Sequence, residues 1–352
     1  MRRLEGPDLE AAILGGLVLS AGGSGLASSQ RHRTLGEAAL RAGAVLLCPL
    51  EALSDDDPLL VATAVGAPGQ SQARTEPRDA VEAARALIEA SGCEPKGVIP
   101  GHVPGLYAWI IASALGIPLV DAATNGRAHP TVKLGGMGLA SQPQATLWQA
   151  GCAQGLRVLV HGDLMKTSNV MRAAAVQNGG LINAVRGPFG AAFLRRNGAP
   201  GAISFALGLG AAMLSESADA RVAAAGRYLN ATILVDGEVT QNTVSYESGF
   251  DVGTIRIGDV TLGVYNELMS ADSGARRLAS FPDLLASLDP LSGAPIAISA
   301  LTPGTRVAIL AAHRRYIPLG AGVYDRAAYP EVEAAMGIDL ATYAFNPRGT
   351  DA

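Results

Sequence analysis

Charge is scarce in this 352-residue sequence, 16% of residues, and it is mixed: 27 basic side chains against 31 acidic, net −4. Binding a nucleic acid or an anionic membrane needs a basic face, and no stretch supplies one. Cysteine is nearly absent. Cys48, Cys93 and Cys152 are odd in number, widely spaced and without a CxxC pair, which excludes a readable disulfide framework or thiolate zinc knuckle and fits a reducing cytoplasm. Aromatics make up only 5%, so the core must be built from Ala, Val, Leu and Ile. A secretory leader is not readable, because Glu5, Asp8 and Glu10 stand between the basic MRR start and the apolar residues that follow. Nor is a membrane span: the uncharged run 197–215 is broken by Pro200, Gly198, Gly201, Gly208 and Gly210 and reads as a buried helix with a broken start.

What is present is apolar residue, 49%, and glycine, 43 in all. With this length, that composition predicts a tightly packed α/β protein of two domains. Residues 8–20 read as an apolar helix ending in a glycine turn at 22–25, and the next helix is expected from Thr34, with Glu37 completing a capping box. Strands follow at 44–48 and 59–65, and Pro77 opens a helix that Gly92 stops. The most regular unit is a strand at 97–100, a turn at 101–105, a helix to 115, and a strand at 117–121. Continuous apolar strands alternating with helices predict a mainly parallel sheet flanked by helices. A strand at 156–162 and helices at 166–178, 186–196 and 203–225 are expected next, and from 228 onward short strands between Gly and Asp turns predict a second, β-rich domain. The expected organisation is an α/β domain over 1–165, a helical connection over 166–225, and a β-rich domain over 226–352. The Ala/Gly-rich helices at 186–225 would suit the interface of a homo-oligomer or pack within one chain.

Residues 118–138, PLVDAATNGRAHPTVKLGGMG, concentrate polar chemistry after a strand end: Asp121, Asn125, Arg127, His129 and Lys133. In parallel sheets ligands sit beyond the carboxyl ends of the strands. The turn at 101–105 leaves a neighbouring strand end, so topology places His102 beside this loop.

Four stretches, LEAAILGGLVLSAGGSG, VIPGHVPGLYAWIIASALGIPLVDAATNGRAHP, LGVYNELMSADSGARRLASFPDLLASLDPLSGAPI and LTPGTRVAILAA, together resemble the S-methyl thiohydantoin desulfurase family, associated with hydantoinase and oxoprolinase genes. The resemblance implies an N-terminal α/β domain, a β-rich C-terminal domain, and a cyclic ureide or thioureide as the small-molecule partner. It further implies hydrolytic desulfhydration of a 2-thioxoimidazolidin-4-one propionate, releasing hydrogen sulfide, as in ergothioneine breakdown. A non-catalytic subunit or sensor of hydantoin metabolism that binds a cyclic amide is the alternative. Gly22, Gly23 and Gly25 match the family's glycine turn, with Ser24 in place of a further glycine. Asp121, Gly126, Arg127 and Pro130 match its D-x-D-G-x-G-R-x-x-P loop, with Ala123 for the second Asp. His102 stands where Glu is expected, His129 where an aromatic is expected, and Thr131 where Glu is expected.

Replacing a thione sulfur by oxygen needs an activated water and a group that stabilises departing sulfur. Zinc held by His102, His129 and Asp121 would supply both. A metal-free route with His102 or His129 as general base and acid stands beside it, as do plain structural roles for both imidazoles. Arg127 suits a substrate carboxylate through paired hydrogen bonds, or braces the loop. Asn125, Lys133 and the turn of Gly22, Gly23, Ser24 and Gly25 complete the expected binding set. The cysteines are placed away from this rim. His161, Asp163 and Lys166 read as a turn and helix start, and His32 and His313 as structural or surface residues.

Overall fold

The structure, a computed structural model, describes residues 1–67 and 75–346. Its first layer is a nine-stranded sheet of β1 (Arg2–Leu4), β2 (Val45–Pro49), β3 (Pro58–Gly66), β4 (Gly97–Pro100), β5 (Leu119–Ala123), β6 (Thr146–Ala153), β7 (Leu156–Asp163), β8 (Leu181–Gly190) and β9 (Ala199–Pro200). The order is β1-β2-β5-β4-β3-β8-β6-β7, with β9 beside β5. Only the centre, β2-β5-β4-β3, is parallel, and both flanks are antiparallel. The sheet is therefore mixed. Each central strand faces two cores by simple alternation: Leu60, Ala62, Val98 and Leu119 point to one, and Leu59, Val61, Ile99 and Val120 to the other.

The first core is covered by α1 (Gly6–Val18), α2 (Leu26–Ala42), α3 (Pro77–Ser91) and α4 (Leu106–Leu115). Proline at the start of α3 and left-handed Gly92 and Gly116 after α3 and α4 fix these boundaries as expected. The helix expected from Thr34 begins earlier, at Leu26 directly after the glycine turn, and Thr34 sits inside it. On the other face lie α5 (Leu164–Gln177), α6 (Ala191–Asn197) and residues 323–344.

Two further expectations fail in the same region. Residues 181–190 form β8, an inner strand, where a helix was expected over 186–196, and β6 was not foreseen. Both strands are mostly apolar and show no clean alternation, a pattern that does not distinguish a buried strand from a buried helix. The uncharged run forms α7 (Ala202–Leu214), followed by α8 (Arg221–Leu229). α7 packs against α1 backbone to backbone: a Cβ at Gly15 would overlap the Ala206 carbonyl, and one at Gly210 the Ala11 carbonyl. Among the described residues no helix is long and apolar enough to cross a membrane.

The second layer is an antiparallel sheet of β10 (Thr232–Asn242), β11 (Ser245–Glu247), β12 (Phe250–Ile257), β13 (Val260–Tyr265), β14 (Glu267–Ser273), β15 (Arg276–Ser280), β16 (Leu284–Leu288) and β17 (Arg306–Ala312), ordered β15-β14-β13-β12-β10-β17-β16 with β11 beside β12. The chain then returns to the first layer through α9 (Pro330–Met336).

Candidate active site

A cavity of about 110 Å³ lies where the two layers meet. The carboxyl end of β3 contributes Thr63 to Gly66, the turn after β4 gives His102, and the loop after β5 gives Ala128 to Val132. Gly23 and Ser24, with Ser28, Arg31 and His32 from α2, close one side, and Arg186 and Leu181 from β8 another. The start of β14 brings Asn266 and Glu267 from the second layer. The carboxyl-end position foreseen from the sheet holds, and the two expected loops do meet. Asn125 donates its amide to the Gly101 carbonyl at 3.2 Å and bridges His102, and the imidazoles of His102 and His129 stand edge to face with centroids 5.5 Å apart.

His32 joins them. The Nδ1 atoms of His32, His102 and His129 are all buried without a hydrogen-bond partner. Burial holds each imidazole below its usual value: His32 to about 4, with Arg31 and His102 adding, and His102 to about 4, with Arg186 adding. His129 lies well below it, by burial first and then by His102, Arg186 and Arg127. All three rings are neutral at neutral pH and available as proton acceptors. His32, read from the sequence as a structural or surface residue, thus lines the cavity.

The other expected residues divide. Asp121 points away: its carboxylate accepts the Ser204 amide at 3.0 Å and the Ser204 hydroxyl, capping the first turn of α7. Period-2 alternation explains this, because Val120 and Ala122 take the face beneath the loop and leave Asp121 the opposite one. Asp121→Ala is expected to cost about 0.5–2 kcal/mol, the worth of an N-terminal cap, and to leave catalysis unchanged, as urea denaturation and an activity assay would show. Asn125 has its Oδ1 on the Gly320 amide at 3.2 Å and does not line the cavity. Lys133 pairs with Glu331 at the start of α9, also outside the cavity.

Arg127 is fully buried and committed. It donates to the Ala128, Pro282 and Asp283 carbonyls and to Glu267 at 2.9 Å, over the Phe281 ring. It braces the loop, though against the second layer and not against Asp121, and does not line the cavity where a substrate carboxylate would sit. The glycine turn serves two ends. Gly22 and Gly25 allow close packing, since a Cβ at Gly25 would overlap the Ala297 backbone and Gly22 has φ +78° beside Leu268 and Ile298. Gly23 and Ser24 face the cavity.

The three residues expected to hold zinc therefore do not converge, and among the described residues no group of three His, Cys, Asp or Glu side chains does. His102 and His129 face each other, but Asp121 is turned away to Ser204, so the expected trio does not form a metal cage. Sequence reasoning overlooked Glu267 and Arg186. Burial pushes the Glu267 carboxyl up to about 8 against the opposing pull of Arg127. Its signal lay in YNEL, where Asn266 adopts φ +60°, rare for a non-glycine residue, but from sequence this was only a strand start.

A helix-flanked mixed sheet joined to an antiparallel β layer, with a histidine-lined cavity at the junction, defines a two-layer α/β plus β protein. The crystal structure of a protein from Chromobacterium violaceum has the same fold: TM-score 0.67, 20% identity, 96% of this chain and 97% of that one. No curated protein matches the chain. Residues 7–155 match the S-Me-THD-like N-terminal domain and residues 162–316 the S-Me-THD-like C-terminal domain. The chain belongs to the S-Me-THD-like, or S-methyl thiohydantoin desulfurase, family.

Proposed function

We propose that this protein is a hydrolytic desulfhydrase that replaces the thione sulfur of a 2-thiohydantoin propionate by oxygen, the reaction of ergothioneine breakdown. The observation that carries the reading is the pairing, in one cavity, of neutral imidazoles with free ring nitrogens and a carboxyl group that burial keeps protonated near neutral pH. Base and acid coexist there because burial pushes the two kinds of group in opposite senses.

In the proposed reaction, water adds its oxygen to ring carbon C2 while its proton passes to His129, with His102 packed against that ring. The thione electron pair becomes a thiolate, which takes the Glu267 proton. The C–S bond then breaks to release hydrosulfide, the remaining hydroxyl proton returns to Glu267 as the carbonyl forms, and the imidazolium proton completes hydrogen sulfide. Thiohydantoin and water are thus converted to hydantoin and hydrogen sulfide, and the protein regains its starting protonation.

Incubating purified protein with the thiohydantoin propionate is expected to give sulfide and hydantoin in equal amounts. A folded protein that releases neither would overturn the reading. Gly135 offers a finer check, because a Cβ there would overlap the His129 imidazole. Gly135→Ala is expected to turn that ring and lower turnover about 10- to 100-fold, as misplacement of a reacting group does, and circular dichroism should report an intact fold.

A further inference from the structure

The fold gives two of its buried guanidinium groups a carboxyl partner: Arg127 has Glu267 and Arg314 has Asp283, each at 2.9 Å. Arg186 is treated differently. Its side chain rises from β8 into the cavity and is only 2% exposed. It donates to the Val132 and Gly135 carbonyls at 3.4 and 3.0 Å and to the Thr124 hydroxyl at 3.4 Å, while its Nε is buried without a partner. Burial is the cause that pulls it down, to about 10, and no carboxylate offsets it. The cavity lining also carries Arg31 and Arg172, and among the described residues its one carboxyl side chain, Glu267, is already held by Arg127.

A desolvated cation facing only neutral dipoles is costly. Bracing the loop after β5 does not explain the charge, because a neutral donor would reach the same oxygens. An anion supplied by the ligand does explain it, and a guanidinium already stripped of water and fixed by three acceptors gives up little on binding. We infer that Arg186 is the anchor for a carboxylate on the ligand, so that the cavity selects acid-bearing cyclic ureides and thioureides over neutral ones. This rests on the cavity being the substrate site proposed above, and it gives Arg186 the part that Arg127 cannot play.

The test is calorimetric titration of the intact protein with hydantoin-5-propionate and with its neutral isostere 5-propylhydantoin, neither of which has a sulfur to lose. Wild type is expected to bind the acid at least about 10-fold more tightly, as charge-assisted hydrogen bonds imply. Arg186→Gln should abolish that preference, and Arg186→Lys should weaken it several-fold because lysine cannot offer the planar fork. Equal binding of the two compounds by wild type, no binding of the acid, or an undiminished preference in either variant would overturn the assignment. If Arg186→Gln does not fold, Arg186→Lys decides. Acid preference without sulfide release from the thio compound would sink the reaction and leave the anchor standing. Sulfide release with no acid preference would do the reverse.

Discussion

His129→Ala is expected to lower sulfide release from a 2-thiohydantoin propionate about 100-fold or more, the usual worth of a positioned general base. The ring packs against Gly135 and meets His102 edge to face. Its Nδ1 has no protein partner to lose, so truncation removes a proton acceptor without orphaning a buried group. A large kinetic effect with a modest loss of stability is the signature expected. His102→Ala should be milder in turnover, since that ring supports His129 in the proposed reaction. Normal sulfide release by the His129 variant would remove the residue from the mechanism.

Acid should destabilise the protein well before its exposed carboxylates titrate. His32 and His102 fall to about 4 in the folded state and His129 falls well below its usual value, whereas unfolded imidazoles take up protons near 6.5. Between those limits the unfolded chain binds up to three more protons at these sites, so stability falls as pH falls from about 6.5 towards 4. Glu267, raised to about 8, acts in the opposite sense over about 4.5–8, since the folded state holds its proton longer. The net difference of two protons gives a slope of roughly 2–3 kcal/mol per pH unit around pH 5–6. Urea unfolding at pH 7, 6 and 5 measures it. A flat profile, or one unchanged in His32→Asn, would show that the imidazoles are not held neutral.

The same residues mark where sequence reading succeeds and where it stops. The carboxyl-end rule for parallel strands placed His102 beside the loop of His129, and the structure joins them through the Asn125 bridge. The rule says where a chain leaves a sheet, not which way a side chain faces. Asp121 was one residue out of phase and went to cap α7, while Arg127 was drawn into a hydrogen bond with Glu267, 140 positions away. His32 entered the cavity because α2 begins at Leu26 and not near Thr34, bringing its first turns to the rim. The helix expected over 186–196 forms only from Ala191, and Arg186 falls instead in β8, which is why its place was missed.

From its sequence alone the protein was determined to be a glycine-rich α/β chain with a β-rich second part, related to the thiohydantoin desulfurases. Composition, strand and helix periodicity and local motifs are short-range properties and survive in one dimension. Which histidines share a cavity, which arginine has a carboxyl partner and which has none were decided only by the tertiary structure. Those properties depend on burial and on partners far apart in the chain, and Arg127 and Arg186 differ in their partners because a carboxyl group from the second layer reaches the one and not the other.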